Sequence, residues 1–412
     1  MTVNTARTIR VGVIGIGQRA VIARHVAASG VDAVVVAASD PSEVGRRRAR
    51  ELFGADLLVA SSHRELIDAG AIDAAIVTSP DWTHAEIAVD LLRAGIAVYL
   101  EKPMAITLDE ADAVMAAAAQ SRTPLYVGHN FRHSAVARLM GSLVRRGDIG
   151  EVKAVWCRHF VGNGGDYYFK DWHAERDRVN SLLLQKASHD LDIIHMLAGG
   201  YTRRVVGMGQ LSLYGDVADR STHEGELMTD WFSYDSWPPL AQTGLNPTID
   251  VEDISMVLMT LDNGVMASYE QCHYTPDYWR NYTVIGTEGR LENFGDTADG
   301  VVRVWNKRRS WDLAGDAEYA IAGNAEGHED ADQLTVTEFL RSLVGEAPEL
   351  SPIAAREAVA AGALATTSLR EGSRPIDVPE LPRAISDYFA FLPLASPASP
   401  TASPASPTAV AQ

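Results

Sequence analysis

Cysteine is nearly absent from this chain. Of 412 residues only Cys157 and Cys272 are cysteines. That count excludes a disulfide framework, their spacing shows no metal-ligand pattern, and both suit a reducing cytosol. No bound metal is expected. Positive charge is also scarce: 36 lysines and arginines stand against 54 aspartates and glutamates, a formal net charge of −18. Such a balance argues against nucleic acid or an anionic membrane surface as a partner. No window approaches the roughly 18 uncharged apolar residues of a membrane-spanning helix. The opening M-T-V-N-T-A-R-T-I-R lacks the apolar stretch of a secretory leader, so a cytoplasmic protein is expected.

Against these absences stands an ordinary globular composition, 46% hydrophobic and 22% charged. The length leaves room for two domains and a sizeable core. The most informative stretch is Arg10 to Ala20, R-V-G-V-I-G-I-G-Q-R-A. It reads as a short buried strand stopped by Gly15-x-Gly17-x-x-Ala20, with helical composition following. In that context Gly15 makes a tight turn and Gly17 lets a pyrophosphate approach. Ala20 lets the helix lie close to the strand. Free N–H groups at the helix start, around Gln18 and Arg19, suit phosphate. A second β-branched run, Val34 to Ala38, leads to Asp40, 20 residues beyond Ala20. A carboxylate there accepts from ribose hydroxyls and repels a 2′-phosphate, favouring NAD over NADP. Arg46, Arg47 and Arg48 read as the solvated face of a helix from Glu43 to Phe53 rather than as a phosphate clamp.

The alternation continues with a strand at Ala74 to Thr78 and then Ser79-Pro80-Asp81-Trp82-Thr83-His84. A helix over Ala85 to Ala94 and a strand over Ala97 to Leu100 follow, ending in Glu101-Lys102-Pro103. This alternation predicts a doubly wound parallel sheet. Ligands bind at the carboxyl ends of such strands, where Gly15, Asp40, Ser79 and Glu101 fall. Lys102, at a strand end beside a nicotinamide, can donate to a substrate hydroxyl and neutralise a developing alkoxide. His84 either lines the cofactor site or starts the next helix.

These pieces, together with G-D-I-G-E-V, H-D-L-D, E-D-I-S-M-V-L-M-T-L-D-N-G-V and G-T-E-G-R-L-E further on, resemble the Gfo/Idh/MocA family of oxidoreductases. The resemblance implies an N-terminal Rossmann domain (residues 1–126). A C-terminal α+β domain with an open, mostly antiparallel sheet follows (127–392), and then an Ala/Ser/Pro tail (393–412) whose composition predicts disorder. It also implies bound NAD, a cis bond before Pro103, and a homo-oligomer, dimer or tetramer, built on the C-terminal sheet. Ser79, Pro80, Trp82, His84 and Glu101 then join Gly15, Gly17, Gln18, Arg19, Asp40 and Lys102 as cofactor-site candidates.

In the second domain, Leu182 to Leu197 reads as one helix, with Leu183, Leu184, Leu191, Ile194 and Leu197 at helical spacing. Family members carry an aspartate four residues before a catalytic histidine here. This chain keeps His189, which the resemblance makes the base, and has Gln185 at the aspartate position. Lys186 either snorkels or enters the active site. Asp192 reads as structural. Asn130 and Arg132 either face the substrate or bond between domains. Tyr167 and Trp172, in a glycine-rich then aromatic stretch, suit a sugar ring, with Tyr168 beside them. His273, Tyr274, Tyr278, Arg280 and Tyr282 form an aromatic, basic cluster that lines either the pocket or the sheet face. His328 falls where the family has a substrate-contacting histidine. A helix N-cap is expected at Thr107 and a tight turn at Asp262-Asn263-Gly264.

The leading reading is hydride transfer between a ring hydroxyl carbon of a sugar, cyclitol or related polyol and NAD. Lys102 polarises the hydroxyl and His189 removes its proton. A redox-neutral glycosidase or lyase that retains its cofactor is the alternative. A non-catalytic NAD sensor is a third reading, against which intact Lys102 and His189 argue.

Overall fold

A computed structural model describes residues 8–322 and 329–390. His328 and the Ala/Ser/Pro tail lie outside the described residues.

The first six strands are short, apolar and mostly buried, as a sheet covered on both faces requires. They are β1 (Ile9–Ile14), β2 (Ala33–Ser39), β3 (Leu58–Ala60), β4 (Ala74–Val77), β5 (Ala97–Leu100) and β6 (Leu125–Val127). All pair in parallel, in the order β3-β2-β1-β4-β5-β6. The order reverses between β1 and β4, and the crevice at that switch point is where such sheets bind ligands. The helix Glu43–Phe53 stands as the sequence places it, and the helix that the expected cap at Thr107 starts spans Leu108–Ser121. Thr107 caps the second in a full capping box with Glu110. Two features differ from expectation. The segment after the glycine turn, Gln18–Val26, winds as a 3₁₀ helix. β3 and the helix His63–Asp68 had no clear sequence signal.

Nine strands form the second sheet. They are β7 (Val152–Phe160), β8 (Thr202–Gln210), β9 (Ile254–Leu261), β10 (Met266–Cys272), β11 (Trp279–Gly286), β12 (Arg290–Phe294), β13 (Val301–Trp305), β14 (Ala317–Ala320) and β15 (Ile376–Asp377). Their order is β14-β13-β12-β11-β7-β10-β9-β8-β15, and β7 with β10 is the parallel pair. β9 and β10 turn at Asp262-Asn263-Gly264, where Gly264 takes φ +81°. Side chains alternate along β9: Val257 and Met259 are buried while Met256 and Leu258 are exposed. The helices Ala135–Arg146, Ser188–Ala198 and Pro352–Arg370 cover one face and share its apolar core. Helix Pro352–Arg370 also reaches the first sheet's core through Ala355, Val359 and Ala363, and helix Glu329–Leu343 does so through Val336, Phe339 and Leu340.

The single helix expected over Leu182 to Leu197 is two, Leu182–Gln185 and Ser188–Ala198. At the join the Ala187 N–H bonds the Leu182 carbonyl at 3.2 Å, five residues back, as in a π-type turn. The Gln185 carbonyl is instead taken by the Ser188 hydroxyl and the Lys102 ammonium, both at 3.2 Å.

Candidate active-site cleft

The glycine turn has the shape a dinucleotide needs. Gly15 adopts φ +83°, and a Cβ there would sit 2.3 Å from the Ser79 Cα, so only glycine fits between β1 and β4. At Gly17 a Cβ would meet nothing within 4 Å, which leaves the approach above the turn open. The Asp40 carboxylate at the end of β2 accepts from the Ile16 N–H and the Ser42 N–H, each at 2.8 Å. A Cβ at Gly45 would strike that carboxylate at 2.2 Å, so this glycine makes room for it. With the Ser42 hydroxyl also donating to Oδ1 at 2.6 Å, these bonds fix an acid beside the turn and leave one lone pair, on Oδ2, for a ribose hydroxyl. Arg46 donates to the Asp40 and Pro41 carbonyls and pairs with Glu43, which agrees with its reading as something other than a phosphate clamp.

From this turn a cleft of ≈ 400 Å³ runs between the two sheets. Among its lining residues are Gln18, Arg19, Ser79, Pro80, His84 and Glu101, all candidates from the sequence. Arg19 bonds Glu101 at 2.6 Å and Asp332 at 2.8 Å. Asn130 donates to Asp332 at 2.7 Å. A residue from each side of the cleft is thereby tied to the helix Glu329–Leu343. Asp332 was not singled out by sequence, because 313 positions separate it from Arg19. His84 is buried, with Nδ1 2.7 Å from the Pro103 carbonyl and Nε2 2.8 Å from the Ser79 carbonyl. It therefore holds the two cleft-forming loops together. The Lys102-Pro103 bond is cis.

Lys102, Asp81 and His189 line the same cleft, and burial shifts the pKa of each. Lys102 is positioned by the Gln185 carbonyl that the helix break frees. Burial lowers its pKa; Tyr168 and Asp81 oppose the shift and Lys186 adds to it. Asp81 lay unremarked inside the S-P-D-W-T-H motif. Burial pushes its pKa up to about 6, against the pull of His84, Lys102 and the Gln185 amide. Its Oδ2 has no hydrogen-bond partner, and neither does Gln185 Oε1. His189 is buried against Phe131, with Nδ1 unpartnered. Burial lowers its pKa well below the ordinary value, and Lys102, Arg280 and Lys186 push the same way. The resulting site pairs an ammonium with a neutral imidazole, as polarising and deprotonating a hydroxyl requires.

Of the remaining candidates, Tyr167, Trp172, Gln185 and Lys186 line the cleft, as do Tyr168 and Arg280. Trp172 stacks on His173 at 3.6 Å, and His173, also a lining residue, was not foreseen. Trp82 lies edge-on to Trp172 at 5.2 Å and under the Arg178 guanidinium, outside the lining of the cleft. Arg132 is a correction of place: both arms of its guanidinium bond Asp192 at 2.6 Å and it does not line the cleft. A buried bidentate pair of this kind holds structure, which agrees with the reading of Asp192. Tyr278 lies at the margin, half-exposed, within 5.9 Å of Lys186. Among the described residues no group of three potential metal ligands converges, and no helix is long and apolar enough to cross a membrane.

Comparison with known proteins bears on this geometry. Residues 9–129 match the description "Oxidoreductase family, NAD-binding Rossmann fold", and residues 137–292 match the "GFO/IDH/MocA C-terminal domain". An inositol 2-dehydrogenase of Gluconacetobacter diazotrophicus is 28% identical over 47% of this chain and 55% of its own length. A myo-inositol 2-dehydrogenase of Thermotoga maritima is 29% identical over 49% of this chain and 59% of its own length. The match thus spans little more than half of these curated relatives. A levoglucosan dehydrogenase solved with NADH and levoglucosan superposes with a TM-score of 0.74. It is 19% identical and covers 91% of this chain and 100% of its own, a likeness of fold. The two family matches together take in more than half of the sequence, and their cofactor, NAD, fits the open glycine turn and the anchored Asp40. The chain belongs to the Gfo/Idh/MocA family of NAD-binding oxidoreductases.

Proposed function

We propose that this protein is an NAD-dependent dehydrogenase acting on a ring hydroxyl of a sugar, cyclitol or related polyol. The carrying observation is the placement of Lys102 on the Gln185 carbonyl in the cleft that His189 also lines. Bound NAD supplies a hydride acceptor there. In this reading Lys102 Nζ donates to the substrate oxygen and stabilises negative charge as it develops. His189 takes the hydroxyl proton at Nε2, because its Nδ1 is fully buried. Asp81 supplies a counter-charge for the ammonium. Tyr167, Trp172, Gln185 and Lys186 contact the ring, Asn130 faces it from the cleft lining, and Arg132 holds the wall from behind. A panel of sugars, cyclitols and glycosides incubated with NAD tests this, with NADH absorbance and released aglycone read together. NADH formation with at least one polyol is expected. Aglycone release without net NADH would instead favour the redox-neutral glycosidase.

We assign residues 1–126 to cofactor binding and 127–392 to substrate binding, and infer a cytoplasmic site of action. Two free cysteines support that inference. A homo-oligomer is supported by the open sheet face, where Trp156, Met208, Met256, Leu258 and Met266 are each about half or more exposed. Sedimentation of wild type and Leu258→Glu tests it, and a wild-type monomer would remove it.

A further inference from the structure

Four cations line the cleft, Arg19, Lys102, Lys186 and Arg280, beside the carboxylates Asp81, Glu101, Asp171 and Glu226, and they differ in what each cation touches. Lys102 has Asp81 as its nearby acid. Arg280, buried in the cleft wall with its guanidinium 4.1 Å from the Phe131 ring, has Asp190, with Nε 2.8 Å from Oδ1. Asp190 is itself fully engaged. It also accepts from His159 Nδ1 at 2.9 Å, from the Tyr269 hydroxyl at 3.1 Å and from the Tyr282 hydroxyl. Asp296, 3.7 Å from Arg280 Nη1, is the next acid. Lys186 is different. Its ammonium makes no hydrogen bond and no ion pair among the described residues. It rests 5.6 Å over the Tyr168 ring and 5.9 Å over the Tyr278 ring. The Arg280 terminal nitrogens make no hydrogen bond among the described residues, and Nη1 has the Asp296 carboxylate at 3.7 Å. Lys186 stands at the helix break, one residue past Gln185, and both cations line the cleft.

Asp190 and Asp296 favour the Lys186 charge from a distance, but a partly buried ammonium that no carboxylate touches is costly to hold. A neutral sugar would leave it so, and the nicotinamide of oxidised NAD would add a further positive charge nearby. One anionic group on the substrate, placed between Lys186 and Arg280, would answer it. We propose that the substrate is a ring sugar bearing one carboxylate, such as a uronic acid, and that Lys186 with the Arg280 guanidinium binds that carboxylate. A single ammonium with no contacting acid fits a monoanion better than a phosphate dianion. The bound carboxylate also has a consequence for the base. His189 is surrounded by the cations Lys102, Arg280 and Lys186, and an added negative charge makes its imidazole a better proton acceptor.

The inference rests on the dehydrogenase reading for its ligand class, but its test is binding. Titration calorimetry of the full chain with NADH would compare D-glucuronate and D-galacturonate with D-glucose, D-galactose and the corresponding sugar phosphates. At least one uronate is expected to bind about tenfold or more tightly than its neutral parent, as one charge-assisted contact provides. Lys186→Met should remove most of that preference and Lys186→Arg should retain it, with circular dichroism confirming that both variants fold. Neutral sugars bound as tightly as uronates, no uronate bound, phosphates preferred, or a preference surviving in Lys186→Met would each overturn it. Uronates bound but never oxidised would sink the dehydrogenase reading and leave this inference standing. Neutral sugars oxidised without uronate binding would do the reverse.

Discussion

Replacing Asp81 by asparagine should make the protein more stable at neutral pH and less active. The carboxyl is buried, and its pKa rises from 3.8 to about 6 on folding. The folded chain therefore binds more protons than the unfolded chain between those values, and stability falls as pH rises through that window. About two pKa units at 1.36 kcal/mol each correspond to about 3 kcal/mol lost by the wild type above about pH 6. Asparagine has the same shape and does not titrate. Its amide can also meet Gln185 Oε1, which lacks a partner in the wild type. Urea unfolding of both proteins without NAD, across about pH 4 to 8, measures the effect. The two stabilities should approach one another at the acid end, and the variant should lead at the neutral end by up to about 3 kcal/mol. Turnover should fall, because Lys102 loses its counter-charge. A stability difference that does not change with pH, or a variant weaker at neutral pH, would refute the reasoning.

Three further outcomes are expected. NAD should bind at least about tenfold more tightly than NADP, since Asp40 meets the ribose, and Asp40→Ala should narrow the gap by fluorescence titration. Lys102→Ala should lower turnover by about 10²–10³ while NAD affinity changes little; a variant within a few-fold of wild type would remove Lys102 from the mechanism. The acid limb of the pH–rate profile should lie below the ordinary histidine value of 6.5 because His189 is depressed by burial and three cations. His189→Ala should abolish that activity, and Lys186→Met should move the limb to higher pH by removing one of the cations.

The first sheet and its ligand-bearing strand ends were legible in the sequence because parallel strands are covered on both faces. Their apolar runs are stopped by polar residues and glycine at the strand ends: Gly15, Asp40, Ser79 and Glu101. β3 escaped because three residues carry no period. Asp332 escaped because its relation to Arg19 and Asn130 arises only when helix Glu329–Leu343 packs on the glycine-turn segment and on the turn at Asn130. Asp81 was in view but sits at the start of a helical turn, Asp81–Thr83, where an acid ordinarily reads as dipole complementarity. Only its burial distinguishes it.

The helix break at Lys186 and Ala187 was illegible for a more basic reason. No glycine or proline marks it, and the apolar spacing runs through it unchanged. Its stabilisation is tertiary: the Gln185 carbonyl, withheld from the helix, is satisfied by Lys102 from the other sheet and by Ser188. The same contacts give sense to glutamine at a position where the family resemblance implies an aspartate. Residue 185 faces Asp81, already a buried acid with an elevated pKa. A second carboxylate there would add like-charge repulsion and drive one of the pair to hold a proton. The neutral amide avoids that, so Asp81 remains the carboxylate beside Lys102 while the 185 carbonyl aims the ammonium. Charge that the resemblance places on the histidine's helix is here carried by Asp81, just after β4, and the helix contributes backbone instead.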